Sequence, residues 1–223
     1  MELYDAMRTT FSGREYTSDP LPDGTLYRIL DHARFAPSGG NRQGWKVIVV
    51  RERATREALA KLTEPAAKRY AAQQQNGENP WNTIDPPRVD AGTIERTPAP
   101  SRLTGTVLAA AVVLVIGVDL KVVASTDQEL ERVGVISGAS IYPFAWNILL
   151  AARQEGYAGT ITTLAVAQEP GIQALLGIPS HVAVAAVMPL GRPVKALSKL
   201  KRKAVPEFAM LERWGGAPLA PTS

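Results

Sequence analysis

The chain has 223 residues, of which 25 are Lys or Arg and 21 are Asp or Glu, for a formal net charge of +4; hydrophobic residues make up 45% and charged residues 21%. That balance excludes wholesale disorder and supports a packed core, and a mild basic excess suits an anionic ligand as well as nucleic acid. Cysteine is absent and His32 and His181 are the only histidines, which excludes disulfide frameworks, thiolate metal centres and catalytic thiols and leaves imidazole chemistry little to work with.

The length fits one domain at roughly 100 to 200 residues each, and no period of about 20 to 50 residues recurs to indicate a repeat architecture. Met1-Glu2-Leu3-Tyr4-Asp5 has acids where a signal peptide has cations. The most apolar run, Val107 to Val118, falls short of the roughly 20 residues of a membrane-spanning helix. A cytoplasmic protein with no membrane segment is expected.

A short helix opens the chain from Leu3 to Arg8. Asp23 then caps a helix whose apolar positions Leu26, Ile29, Leu30 and Ala33 follow helical spacing, and Pro37 requires it to end beforehand. Trp45 to Val50 reads as a buried strand and Thr55 to Gln75 as a helix rich in Ala, Glu and Lys. Asn76 to Gly105 holds Pro80, Pro86, Pro87, Pro98 and Pro100, so it reads as an excursion able to act as a lid. Val107 to Val118 reads as a strand, and Asp127 to Val135 as a helix leading into a second one over Ser137 to Glu155. That second helix is apolar nearly all round, which requires protein on every side; a subunit interface is inferred. Strands are expected at Gly159 to Thr163 and His181 to Leu190, with a short helix between them ending before Gly177. A basic, then Pro/Gly-rich extension runs over 191–223. Neither the dinucleotide fingerprint nor the Gly-rich phosphate loop is present.

Two segments carry candidate chemistry. Ser12-Gly13-Arg14-Glu15-Tyr16 places a hydroxyl two residues from a guanidinium, which suits a phosphate and equally a solvated loop. Ala36-Pro37-Ser38-Gly39-Gly40-Asn41-Arg42-Gln43-Gly44-Trp45 is either an ordinary helix-to-strand turn or a loop offering amide edges to a flat ligand. The basic cluster Lys195, Lys199, Lys201, Arg202 and Lys203 lacks interleaved aromatics and reads as a solvated tail rather than a nucleic-acid site.

These segments, with Gly138 to Ala151, the turn Leu176-Gly177-Ile178-Pro179, and Leu190-Gly191-Arg192-Pro193 followed by Arg202, make the chain resemble the FMN-dependent nitroreductase family over nearly its whole length. The resemblance implies an α+β fold with three α-β-α layers and a mixed, mainly antiparallel central sheet. It implies a single FMN-binding domain over 1–223, paired as a homodimer with two FMN sites in the interface. By matching position, Ser12 and Arg14 with Arg202 hold the FMN phosphate; Pro37, Ser38, Gly39 and Asn41 reach the flavin ring from the other subunit; Ile161, Thr162 and Thr163 run along the ring and offer backbone groups to N5. Trp81 and Arg102 are candidates for the substrate pocket. Thr10 and Phe11 stand where many relatives have basic residues, and Thr106 where a lysine is common, which makes Arg102 the nearest cation for the flavin N1/O2 edge. The implied reaction takes hydride from NADH or NADPH through flavin N5 to an electron-poor small molecule such as a nitroaromatic or quinone, with no nucleophilic side chain and no metal. Reductive dehalogenation, enoyl reduction, flavin destruction and non-catalytic flavin sequestration are the alternatives within the same resemblance.

Overall fold

Alternation along one strand sets the layers. In the computed structural model, which describes residues 1–221, the strand β2 (Val112–Asp119) sends Val112, Leu114, Ile116 and Val118 into one core and Val113 and Val115 into another, as successive side chains of a strand must. Helices α2 (Asp23–Ala33) and α7 (Tyr142–Gln154) cover the first face, where Ile29, Phe144, Ala145 and Ile148 are buried. On the other face α3 (Arg53–Gln75) and α8 (Glu169–Leu176) bring Leu59 and Ile172 against Val113 and Val115. The result is a three-layer α-β-α sandwich. Each fully buried Leu or Ile contributes about 1.5 to 3 kcal/mol through the hydrophobic effect.

Among the described residues, β1 (Trp45–Val50), β2, β3 (Ala158–Gly159) and β4 (Val182–Gly191) form one sheet in the order β1-β2-β4-β3. Every ladder is antiparallel. The expected mixing of directions is confined to a parallel bridge between Ser12 and Gly159. The N-terminal helix α1 (Leu3–Thr9) packs near α7. Thr222 and Ser223, at the end of the expected extension, lie outside the described residues.

Several expected elements take a different form. Asp23 is the first residue of α2 rather than its cap, which is Pro22, and its carboxylate accepts a hydrogen bond from Arg51 at 2.6 Å instead of one from the helix N-terminus. The apolar run from Val107 is not one strand: a helical turn, α6 (Thr106–Ala109), precedes β2, which begins at Val112, and Ala110 and Ala111 between them lack the branched side chains that favour a strand. Asp127 to Val135 is not a helix. Its buried Asp127 carboxylate accepts from the N–H groups of Val135 and Ile136, from Arg132 and from Ser125, so a loop closes around one side chain. The expected strand over Gly159 to Thr163 is reduced to β3 and a bridge from Thr162 to Val187. The proline-rich excursion contains α4 (Ala91–Arg96) and α5 (Ser101–Thr104), which pack on α3.

Candidate functional site

The segment Ser12 to Tyr16 is laced to the sheet edge. Gly13 donates its N–H to the Gly159 carbonyl at 2.8 Å, Thr17 to Arg192 at 2.9 Å, and Val194 to Glu15 at 3.1 Å. A Cβ on Gly13 would meet that of Ala158 at 2.8 Å, so only glycine lets the chain lie this close. The Tyr16 hydroxyl lies 2.6 Å from the Gly13 carbonyl and 3.1 Å from that of Pro189. Burial raises its pKa far above the usual phenol value, which keeps it a neutral donor. Arg14 is thereby held at the surface, where its guanidinium donates to the Ser12 carbonyl at 3.3 Å.

Arg14 and Arg102 line one cleft of about 220 Å³ together with Tyr70, Thr106 and the segment Thr160, Ile161, Thr162, Thr163 and Leu164. Two cations face it and no carboxylate lines it. The backbone of this segment is aimed by one pairing: Thr162 exchanges both hydrogen bonds with Val187, at 3.1 and 2.8 Å. Its neighbours Ile161 and Thr163 therefore point the other way, and their N–H groups have no backbone acceptor among the described residues. Thr106 is buried, and its hydroxyl donates to the Arg102 carbonyl at 3.0 Å. Thr10 likewise donates to Ala6 at 2.7 Å, so neither threonine hydroxyl proton is free for a ligand.

Pro37, Ser38, Gly39 and Asn41 do not line this cleft. They form an exposed loop on the α2 side, tied down where the Gly39 N–H meets the buried Ser140 hydroxyl at 3.1 Å and where Gln43 N–H meets Ser38 Oγ at 3.0 Å. Asn41 and Gln43 hold left-handed backbones at φ 52° and 49°, a costly conformation in non-glycine residues that concentrates at functional loops. The expected helix over 137–155 is α7 preceded by a tighter turn from Ile136 to Ser140. One face is buried, and Tyr142 and Trp146 on the other are exposed.

Trp81 lines a second cavity of about 460 Å³ with Tyr70, Pro80, Thr163, Leu164, Val166 and Ala167. It shares Tyr70, Thr163 and Leu164 with the arginine cleft, so the two are neighbours. The buried Gln73 amide oxygen accepts the Trp81 N–H at 3.2 Å, and the Arg69 guanidinium stacks 4.0 Å above the indole. Glu78 steadies the same turn by accepting from Gln73, Asn76 and Val89; these bonds, that from Asn76 foremost, hold its pKa below the usual carboxylate range.

Arg202 stands elsewhere. It lines a cleft with Met7, Arg8, Ser198, Lys199 and Leu200, and its guanidinium donates to Lys201, so within one chain it is not beside Arg14. Tyr70, Thr160 and Gln73 join the site without any sequence signal. Nothing in an Ala-rich helix marks Tyr70 as facing a cavity, and Thr160 lies one residue ahead of the matched element. No cluster of His, Asp and Glu fit to hold a metal occurs among the described residues, nor is any helix long and apolar enough to cross a membrane.

The chain is similar to several known proteins. An NADH dehydrogenase of Thermus thermophilus is 29% identical over 191 residues, covering 82% of this chain and 82% of that protein. Iodotyrosine deiodinase 1 of Rattus norvegicus is 25% identical over 93% of this chain and 68% of its own length. The crystal structure of an iodotyrosine deiodinase bound to FMN and 3-iodo-L-tyrosine superposes with a TM-score of 0.69 over 96% of this chain and all of that one, at 17% identity, a likeness of fold. The model of the nitroreductase family matches residues 7–192, and with most of its length so matched the chain belongs to the nitroreductase family.

Proposed function

We propose that the protein is an FMN-dependent oxidoreductase working as a homodimer, and that its electrons come from NADH or NADPH and pass to a small, electron-poor acceptor such as a nitroaromatic or quinone. The observation that carries this reading is the cleft in which Arg14 and Arg102 face the unpaired N–H groups of Ile161 and Thr163. A phosphate needs a cation and a ring nitrogen needs a directed donor, and this cleft offers both without an opposing acid. FMN, when bound, supplies N5 as the atom that takes and gives hydride.

In this reading Arg14 and Ser12 hold the phosphate, while Arg202, in another cleft of its own chain, does not join them there. Arg102 compensates negative charge at the N1/O2 edge, as preorganised donors do for a developing anion. Ile161 and Thr163 N–H groups orient the ring edge. The loop Pro37, Ser38, Gly39 and Asn41 completes the site from the partner, which accounts for its standing apart from the cleft of its own chain. Location in the cytoplasm fits such a reductase.

A second reading, reductive removal of halogen from an amino acid, follows from the deiodinase relatives. The Trp81 cavity favours the first. No charged side chain lines it, whereas an amino acid brings an ammonium and a carboxylate that both require partners when desolvated. The test is to add FMN to the purified protein and mix it anaerobically with NADH or NADPH. Bleaching of the yellow absorbance, restored by a quinone, is expected; bound flavin that stays oxidised with both donors would contradict catalysis.

A further inference from the structure

Trp81 occupies a backbone conformation that its own side chain disfavours. It is left-handed at φ 59°, which is costly in a bulky residue and persists only where neighbours impose it. They do so through a relay. The Glu78 carboxylate accepts from Gln73 Nε2 at 3.1 Å, from Asn76 Nδ2 at 2.7 Å and from the Val89 N–H at 2.8 Å. Gln73, buried in α3, is thereby oriented so that its amide oxygen accepts the Trp81 N–H at 3.2 Å. The turn fixes the indole in place and still leaves the residue 39% exposed.

What the ring is fixed against is a cation. Arg69 Cζ lies 4.0 Å from the indole centroid, and Arg69 Nε is buried with no hydrogen-bond partner among the described residues. Arg69 also belongs to no ion pair among them. A guanidinium drawn out of water is costly unless something takes the water's place, and here that is the face of the indole. Trp81 lines the cavity of about 460 Å³ and Arg69 does not, so the ring stands between the charge and the space. Tyr70, Pro80, Thr163, Leu164, Val166 and Ala167 close the rest of the cavity with uncharged groups.

We propose that Trp81 is the specificity-determining residue of this cavity: its indole screens the Arg69 guanidinium, so that the cavity takes flat, uncharged acceptors and admits anionic ones only when the ring is removed. This names the acceptor class within the proposed flavin reductase and rests on that reading. Naphthoquinone and naphthoquinone sulfonate share a ring system and differ by one negative charge, which makes them the probes. Their dissociation constants are measured by calorimetry on the FMN-loaded protein without electron donor, and their turnover is measured with NADH or NADPH. The native chain is expected to prefer the neutral quinone. Trp81→Ala and Trp81→Leu are expected to shift the ratio of the two constants toward the sulfonate by about tenfold, and Arg69→Gln added to either should abolish the shift. Trp81→Phe, which keeps an aromatic face, and Arg69→Gln alone should leave the native ratio in place. Gln73→Ala, which releases the turn, should move the ratio part of the way in the same direction. A ratio indifferent to the loss of Trp81, a shift that persists without Arg69, or a native chain that binds neither quinone overturns the proposal. Discrimination that follows these variants while neither quinone is turned over with either donor overturns the reductase reading and leaves the screen standing; turnover of both quinones with an unmoved ratio does the reverse.

Discussion

Arg14 and Arg102 are the two charges of the cleft, and they have separable tasks. Losing one charge-assisted hydrogen bond costs about 1.5 to 3 kcal/mol, a factor of about ten to a hundred in affinity. Arg14→Ala is therefore expected to weaken FMN binding by about that factor in a fluorescence titration, with the fold intact by circular dichroism. Arg102→Ala is expected to leave affinity within a few fold and to lower the flavin midpoint potential in a spectroelectrochemical titration, because the anionic reduced form loses its compensating cation. Equal effects of both variants on affinity would show that the tasks are not divided. Gly159 belongs to the same scale. A Cβ there would meet the Pro189 carbonyl at 2.7 Å, so Gly159→Val should push β3 off β4 and displace the bridged Ser12, lowering both melting temperature and flavin affinity.

At the scale of elements, the loop from Ser125 to Ile136 depends on one ionised carboxylate. Hydrogen bonds from the Val135 N–H first, and from Arg132, lower the Asp127 pKa to about 2, against about 3.9 in an unfolded chain. A group with a depressed folded pKa stabilises the native state above its unfolded value and loses that stabilisation as pH falls toward the folded one. The melting temperature is thus expected to hold down to about pH 4 and to drop between about pH 4 and 2, and Asp127→Asn should start lower and flatten that part of the profile. Thermal melts across this range decide it. The same loop shows where sequence stops being legible. Trp45–Val50 emerged as a strand because its pattern is local, though as an edge strand it is buried only at Val50 rather than throughout, and the helix ending before Gly177 emerged as expected because Gly177 takes the left-handed backbone at φ 66° that ends helices. Asp127 captures N–H groups eight and nine residues away, which no periodicity records, and Val107 to Ala111 reads with the strand because apolar content alone does not separate a helical turn from an extended run. The cleft was legible only in its matched residues; Tyr70 and Thr160 join it through packing between distant segments.

For the whole molecule, the proposed site is larger than one chain. The cleft holds Arg14, Arg102 and Ile161 to Thr163, while the strained loop at Asn41 and the exposed Tyr142 and Trp146 of α7 face away from their own core. An apolar face of this kind stays uncovered in a monomer at real cost. Pairing of two copies would cover it and bring each loop to the other's cleft, so flavin binding and association should be coupled, each strengthening the other. The direct measurement is sedimentation of the protein at increasing FMN, followed at a wavelength where only flavin absorbs. A two-chain particle carrying one FMN per chain is expected, with dilution to monomers releasing the flavin. Flavin that sediments with single chains, or that never moves with protein at all, would contradict it.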